Sequence, residues 1–203
     1  MTSGAGDSDR AGPGVAHPPI IMPEDPVVFD FTQAYDRSLV EDTVWGIGRY
    51  DEQRPSGMYV SDIYEPGRNI HMGIDFWAPA GTPVFAPLPG VVTHVRHHDN
   101  HRDYGPTIVT RHVIDGAPMY ILFGHLSKSS LGRWNVGDEL ERGMEMAHLG
   151  SADENGDWPP HLHFQLSRCY PEDGNMPGVV TASKRAQAKQ THPDPRLILG
   201  PIY

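Results

Sequence analysis

The segment Arg68 to Pro79, RNIHMGIDFWAP, places His71 and Asp75 on either side of Gly73. Both are good zinc ligands. In a straight strand, residues four apart share a face but stand about 13 Å from each other at about 3.3 Å per residue, too far to share one ion. A shared ion therefore demands a bend, and Gly73, which lacks a Cβ, is the natural place for it. Taken alone the segment reads equally well as a buried strand ending in one polar Asp. A second cluster ninety residues on, PPHLHFQLS with His161 and His163, breaks the tie.

In a strand, His161 and His163 project from one face about 6.6 Å apart. One can hold a metal while its neighbour stands over the same site. Zinc held by three protein groups keeps an open position for a water, lowers that water's pKa toward about 7, and leaves a nearby imidazole to move protons. A structural zinc site wants four protein ligands, usually with Cys, and Cys169 is the only cysteine, so a closed thiolate site is excluded. The residues alone do not decide which histidine of the pair binds. His125, in FGHLS, ends an apolar strand where a polar residue would emerge at the sheet's rim; alone it reads as an exposed loop histidine. His97, His98 and His101 read as a solvated loop, and His94 and His112 as outward strand positions. His17, His148 and His192 carry no signal.

With 20 Pro and 22 Gly in 203 residues, and apolar runs seldom longer than six, long helices are scarce and turns many. That favours a mainly β fold with an antiparallel sheet core and few short helices. Strands are expected at Val27 to Phe31, Thr82 to Ala86, Gly90 to Val95, Thr107 to Ile114, Met119 to Phe123, Met144 to Leu149 and His161 to Ser167. Asp115-Gly116 is a hairpin cue. One helix is expected in Ala182 to Lys189, and Leu197 to Leu199 reads as a closing turn. From Ile20 to Tyr64, Trp45, Tyr50, Met58 and Tyr59 read as cover for one edge of the core, with Trp45 or Tyr50 lining a cleft as the alternative.

Residues 1–19, small, polar and broken by Pro, read as a disordered tail rather than a secretion signal, which leaves residues 20–203 as one domain. No run of about 20 apolar residues exists to span a membrane. A net charge of −10 argues against nucleic-acid and anionic-membrane surfaces, which want basic patches. The lone cysteine fits a reducing compartment. The simplest location is cytoplasmic, with export by another route left open; oligomeric state is not legible.

From about Arg68 to Leu166, roughly half its length, the chain resembles the lysostaphin-like zinc peptidases, the M23 metallopeptidases. HMGIDFWAPAGTPVFAP is similar to that family's H-x-G-x-D segment, FGHLS to its middle histidine, PPHLHFQL to its H-x-H strand, and VGDELERGMEMAHLGS to the segment before it. The resemblance implies that His71, Asp75 and His163 hold Zn2+, and that His125 and His161 position or deprotonate the attacking water and stabilise the oxyanion. It implies a zinc metallopeptidase-like hydrolase cleaving a peptide or amide bond by a zinc-activated water.

The sequence departs from the cell-wall members at ADENGDWPP, where those usually carry a short Ser/Thr/Gly-rich loop. The ENGDWPPHLHFQL, DNHRDYGPTIV and PDPRLILG stretches resemble an intracellular subset associated with phosphotransferase-like and class III aminotransferase-like polypeptides. The alternative is therefore an intracellular zinc enzyme acting on a small non-peptide or modified amino-acid substrate. In either case Asp153, Glu154 and Asp157 are expected at the cleft rim, favouring an amino group on the substrate. Trp158 is expected as an apolar wall. Should the acids prove to be surface features, selectivity would fall to the Asp99 to Tyr104 hairpin, expected on the opposite side.

Overall fold

The structure is a computed structural model describing residues 16–35, 37–40, 45–59 and 61–203. Most of the expected tail lies outside these residues. Its last positions are bonded to the body: the His17 amide donates to the Pro87 carbonyl and the Phe85 amide to the Pro19 carbonyl.

Twelve short strands carry the described residues. In chain order they are β1 (Val27–Val28), β2 (Gly46–Gly48), β3 (Ile70–His71), β4 (Ile74–Trp77), β5 (Pro83–Phe85) and β6 (Gly90–His98). They continue with β7 (Gly105–Ile114), β8 (Ala117–Gly124), β9 (Glu139–Leu140), β10 (Glu145–His148), β11 (His161–Ser167) and β12 (Val179–Val180). Eight form one sheet in the order β1-β2-β4-β11-β8-β7-β6-β9, antiparallel except for the β1/β2 pair. β5 pairs with β10, and β12 with β3. The mainly β, antiparallel expectation holds. Between β7 and β8 both turn residues are left-handed, Asp115 at φ 50° and Gly116 at φ 79°, which matches the right-handed twist of the flanking strands.

Strand β11 shows how the sheet positions a site. Its apolar residues Leu162, Phe164 and Leu166 enter the main core with Ile74 and Phe76 of β4 and Ile121 and Phe123 of β8. Each such burial contributes about 1.5–3 kcal/mol. The alternation turns His161, His163 and Gln165 to the other face. All seven residues of β11 are buried, because Tyr104, Tyr120, Leu122 and Met176 build a second cluster over that face of the sheet.

Burial on the two faces of the sheet corrects two expectations. His94 and His112 are not outward positions but buried at 4% and 2% exposure. Tyr170 lies over His94 with ring centres 5.2 Å apart, and His112, facing the core beside Ile108, donates from Nδ1 to the Pro89 carbonyl. His97 and His98 belong to β6 rather than to a loop; His101 is exposed in the turn beyond.

Helices are short. α1 spans Lys128–Leu131, α2 spans Arg185–Thr191 after a 3-10 turn at Ala182–Lys184, and α3 spans Arg196–Leu199 where a closing turn was expected. Behind it Ile202 and Tyr203 pack on the main core. Tyr50 is a core residue whose hydroxyl donates to the His192 carbonyl, and Trp45 packs against the same core. Neither lines the cleft; Met58 and Tyr59 do.

Candidate metal centre

Antiparallel pairing of β4 with β11 sets Asp75 directly opposite His163. The chain breaks between β3 and β4 at Met72-Gly73, which swings His71 back onto the same spot. Gly73 is needed there for room: a Cβ would lie 2.6 Å from His163 Cε1 and 2.8 Å from the Phe164 carbonyl oxygen. β8, on the far side of β11, pairs Gly124 with His163, so His125 emerges one residue beyond the strand, at φ 61°.

Three donor atoms converge. His71 Nε2 lies 3.0 Å from His163 Nδ1 and 3.1 Å from Asp75 Oδ1, and His163 Nδ1 lies 3.0 Å from Asp75 Oδ1. A tetrahedral ion with bonds of about 2.0–2.1 Å spaces its ligands about 3.3 Å apart, so this nearly equilateral triangle fits one metal ion. Among the described residues it is the one group of His, Cys, Asp or Glu donors close enough to do so.

Each donor's other polar atom is already engaged, which fixes the tautomer and aim of the ring. His163 donates from Nε2 to Gln165 Oε1 at 2.9 Å, and Gln165 Nε2 donates to the Pro177 carbonyl. His71 donates from Nδ1 to the Arg49 carbonyl at 2.8 Å. Arg54 Nη2 also stands 3.0 Å from that Nδ1; two donors cannot share a bond, so the carbonyl is the partner that leaves Nε2 bare. Asp75 accepts at Oδ2 from Arg54 Nη1 at 2.8 Å, which keeps Oδ1 for the triangle.

Arg54 is itself held by Glu52 at 3.0 Å and by the Tyr59 hydroxyl at 3.0 Å. Burial opposes charge on this guanidinium, but Tyr59, Asp75 and Glu52 outweigh it and keep it ionised. For Asp75, burial alone would raise the carboxyl; His71 and Arg54 beside it hold it well below the usual range. Burial, then Arg54, pushes the His71 imidazole down to about 4.

His161 and His125 stand over the triangle. His161 stacks on Trp77 with ring centres 4.1 Å apart and donates from Nδ1 to the Pro159 carbonyl at 2.7 Å. Its Nε2 lies 3.9 Å from Asp75 Oδ1. His125, its ring centre 4.2 Å from that of His161, donates from Nδ1 to the Asn155 carbonyl at 3.2 Å. Burial lowers both, His161 to about 4 and His125 well below its ordinary value, so both rings are neutral near pH 7.

These five residues floor an open cleft of about 510 Å³. Its walls include Tyr59, Tyr64, Arg68, Arg102, Tyr104 and Trp158. Trp158 is 4% exposed and faces the cleft.

Asp153, Glu154 and Asp157 do not line it, which corrects their placement at the rim. The loop folds into successive turns about the buried Asn155, whose Oδ1 accepts from the Trp158 amide. Asp153 then accepts from Ser151 Oγ, Glu154 from the Lys128 and Ser151 amides, and Asp157 pairs with Arg37 and Arg102. The Asp99 to Tyr104 hairpin is beside this loop rather than opposite it, since the Arg102 amide donates to the Gly156 carbonyl. Arg54, Glu52 and Gln165 were not picked out from the sequence; Tyr59, read there as cover for the core edge, and Tyr104, read as the end of a hairpin, line the cleft. Only Gln165 left a trace, two residues after His163 and therefore on its face.

A mainly β scaffold with three buried donors at the floor of an open cleft, and two further imidazoles above them, has the layout of a metallohydrolase. The sequence profile of peptidase family M23 matches residues 69–176, just over half the chain, taking in all five residues of the cleft floor. The chain belongs to peptidase family M23.

An uncharacterized metalloprotease of Haemophilus influenzae is 29% identical over 157 residues, 71% of this chain and 30% of that protein. The DD-carboxypeptidase/endopeptidase Mpg of Neisseria meningitidis is 36% identical over 112 residues, 55% of this chain and 23% of that protein. The chain thus spans less than a third of the length of these curated relatives. Among solved structures, the catalytic domain of lysostaphin from Staphylococcus simulans is 24% identical, with 64% of this chain and 90% of that one covered at a TM-score of 0.42.

Proposed function

We propose that the chain is a zinc-dependent peptidase that hydrolyses a peptide or amide bond in this cleft. The observation that carries the reading is the 3.0–3.1 Å triangle of His71 Nε2, Asp75 Oδ1 and His163 Nδ1 beneath two more histidines. A zinc ion held there supplies Lewis acidity and a water acidified toward neutral pH.

The chain's own residues do the rest. His161, its Nδ1 hydrogen committed to Pro159, presents the bare Nε2 to the triangle and accepts a proton there. It returns that proton to the departing amine. His125, its Nδ1 hydrogen likewise committed to Asn155, can take that same proton at its bare Nε2; it donates toward the oxygen on which negative charge develops while it holds the proton, before the proton passes to the amine. Arg54 holds Asp75 ionised, and Trp77 holds the His161 ring in plane.

The names of the curated relatives, a DD-carboxypeptidase/endopeptidase and a metalloprotease, support a peptide substrate over the small non-peptide alternative. The test is to load the chain with one equivalent of zinc and follow cleavage of cell-wall cross-link peptides and Gly-rich peptides with and without a chelator. Cleavage abolished by the chelator and restored by zinc is expected. A stoichiometric zinc protein that cleaves none of them, yet converts a component of a metabolite extract, would replace this reading with the non-peptide one.

A further inference from the structure

We propose that Arg102, laid on the face of Trp158, is an anion anchor of the cleft, and that the substrate is a peptide presenting a free carboxylate to it. This deepens the peptidase reading and rests on it.

Three guanidinium groups line the cleft, and they differ in what they have left to give. Arg54 spends its donors on Glu52, Tyr59 and Asp75. Arg68 donates from Nε to the Val179 carbonyl at 3.0 Å and from Nη1 to the Ile63 carbonyl at 3.5 Å. Arg102 has spent little: its buried Nη1 has no hydrogen-bond partner among the described residues, and its Nη2 makes only a long ion pair, 3.8 Å from Asp157 Oδ2 and beyond hydrogen-bond reach. A guanidinium offers five donors in a planar fork that matches a carboxylate. Asp157 is the carboxylate beside it; the carboxylates that line the same cleft are Asp75, committed to the metal centre, and Asp103, whose oxygens accept from Asn100 Nδ2 and the Tyr104 amide.

Arg102 is also held in place. Its Cζ lies 4.5 Å from the Trp158 ring centre, a stacked geometry that fixes the fork without using its donors. Its backbone adopts φ 65°, an uncommon conformation for a side-chain-bearing residue, over-determined by bonds to the Gly156 carbonyl and from the Tyr64 hydroxyl. Trp158 in turn meets His125 and His161 at 6.2 and 6.3 Å between ring centres. The fork therefore stands no more than about 11 Å from the His125 ring, which is about three residues of extended chain. A C-terminal carboxylate within that distance of the scissile bond fits, and an amine there does not.

The test uses two peptides, a tetraglycine and an alanine tetrapeptide ending in D-Ala-D-Ala, each N-acetylated and made both as free acid and as carboxamide. The readouts are the acid-to-amide ratio of kcat/KM in the zinc-loaded chain and the same ratio of affinities by calorimetry in the zinc-stripped chain, where a metal cannot bind the carboxylate. Wild type should prefer the acid by about tenfold or more, the weight of a charge-assisted hydrogen bond. Arg102→Gln should bring both ratios toward one, and Arg102→Lys should fall between. Asp157→Asn removes the competing carboxylate at a φ of 68° that Asn tolerates, and should raise the preference. Ratios equal in wild type and Arg102→Gln, or a wild type that prefers the amide, would overturn the anchor. Should no peptide be cleaved, the peptidase reading fails separately, and the calorimetric ratio still decides this one.

Discussion

The floor and the wall of the cleft are built on opposite principles. On the floor, His71, Asp75 and His163 sit on paired strands, are almost wholly buried, and have each non-ligand atom bonded to a neighbour. On the wall, the 151–158 loop and the Arg102 turn are irregular backbone pinned to each other by the bond from the Arg102 amide to the Gly156 carbonyl, and the ion pair from Asp157 to Arg102 is long, at 3.8 Å. Strand register fixes positions to a fraction of an ångström, as chemistry requires. Loops carried on a rigid scaffold can differ in sequence without disturbing the sheet, which suits substrate selection.

The comparison breaks most visibly at the two non-ligand histidines. His161→Ala and His125→Ala should each lower turnover by about 100- to 10,000-fold while metal content stays at the wild-type level, because their contributions are made chiefly in the transition state. Steady-state kinetics beside elemental analysis checks both at once. Arg54→Gln comes next. Losing the cation that holds Asp75 Oδ2 should weaken metal affinity by about 10- to 100-fold, measured by competition with a chromophoric chelator. A floor residue without direct metal contact would then matter more than any acid of the wall.

On the wall, Asp153→Asn with Glu154→Gln should change kcat/KM for an amine-bearing peptide by less than about twofold, since both carboxylates accept from Ser151, Glu154 also from the Lys128 amide, and neither lines the cleft. A tenfold fall would return the acids to the rim. The smallest effect belongs to the buried histidines outside the site. Burial lowers the pKa of His112 and of His192 in the folded chain below the unfolded value of about 6.5, so the fold favours their neutral forms. The stability they contribute is present above about pH 6.5 and is lost as pH falls. Melting temperature should drop between pH 7.5 and pH 5, and drop less in His112→Gln.

The floor was legible in the sequence because its signals are local. H-x-G-x-D and H-x-H each lie within five residues, and the alternation of HLHFQLS gave β11 its full bounds. The Asp115-Gly116 cue placed the β7–β8 turn for the same reason. What failed depends on contacts distant in the chain. Arg54 reaches Asp75 across 21 positions, and nothing in the local run DEQRP points to a buried partner. His94 and His112 looked outward because their partners arrive from other segments, Tyr170 over the His94 ring and the Pro89 carbonyl at His112 Nδ1. The acidic loop was misplaced because charge alone does not reveal that the loop turns about the buried Asn155 and that its carboxylates find partners outside the cleft lining or, for Asp157, in Arg37 and Arg102.

The central claim is that His71, Asp75 and His163 hold the metal on which hydrolysis depends. It is tested most directly by metal stoichiometry after exhaustive dialysis in wild type, Asp75→Ala, His163→Ala and His161→Ala, with folding confirmed by circular dichroism. One zinc per chain should remain in wild type and in His161→Ala, and little in Asp75→Ala or His163→Ala. Full zinc retention by folded Asp75→Ala, or loss from His161→Ala as complete as from His163→Ala, would contradict the assignment.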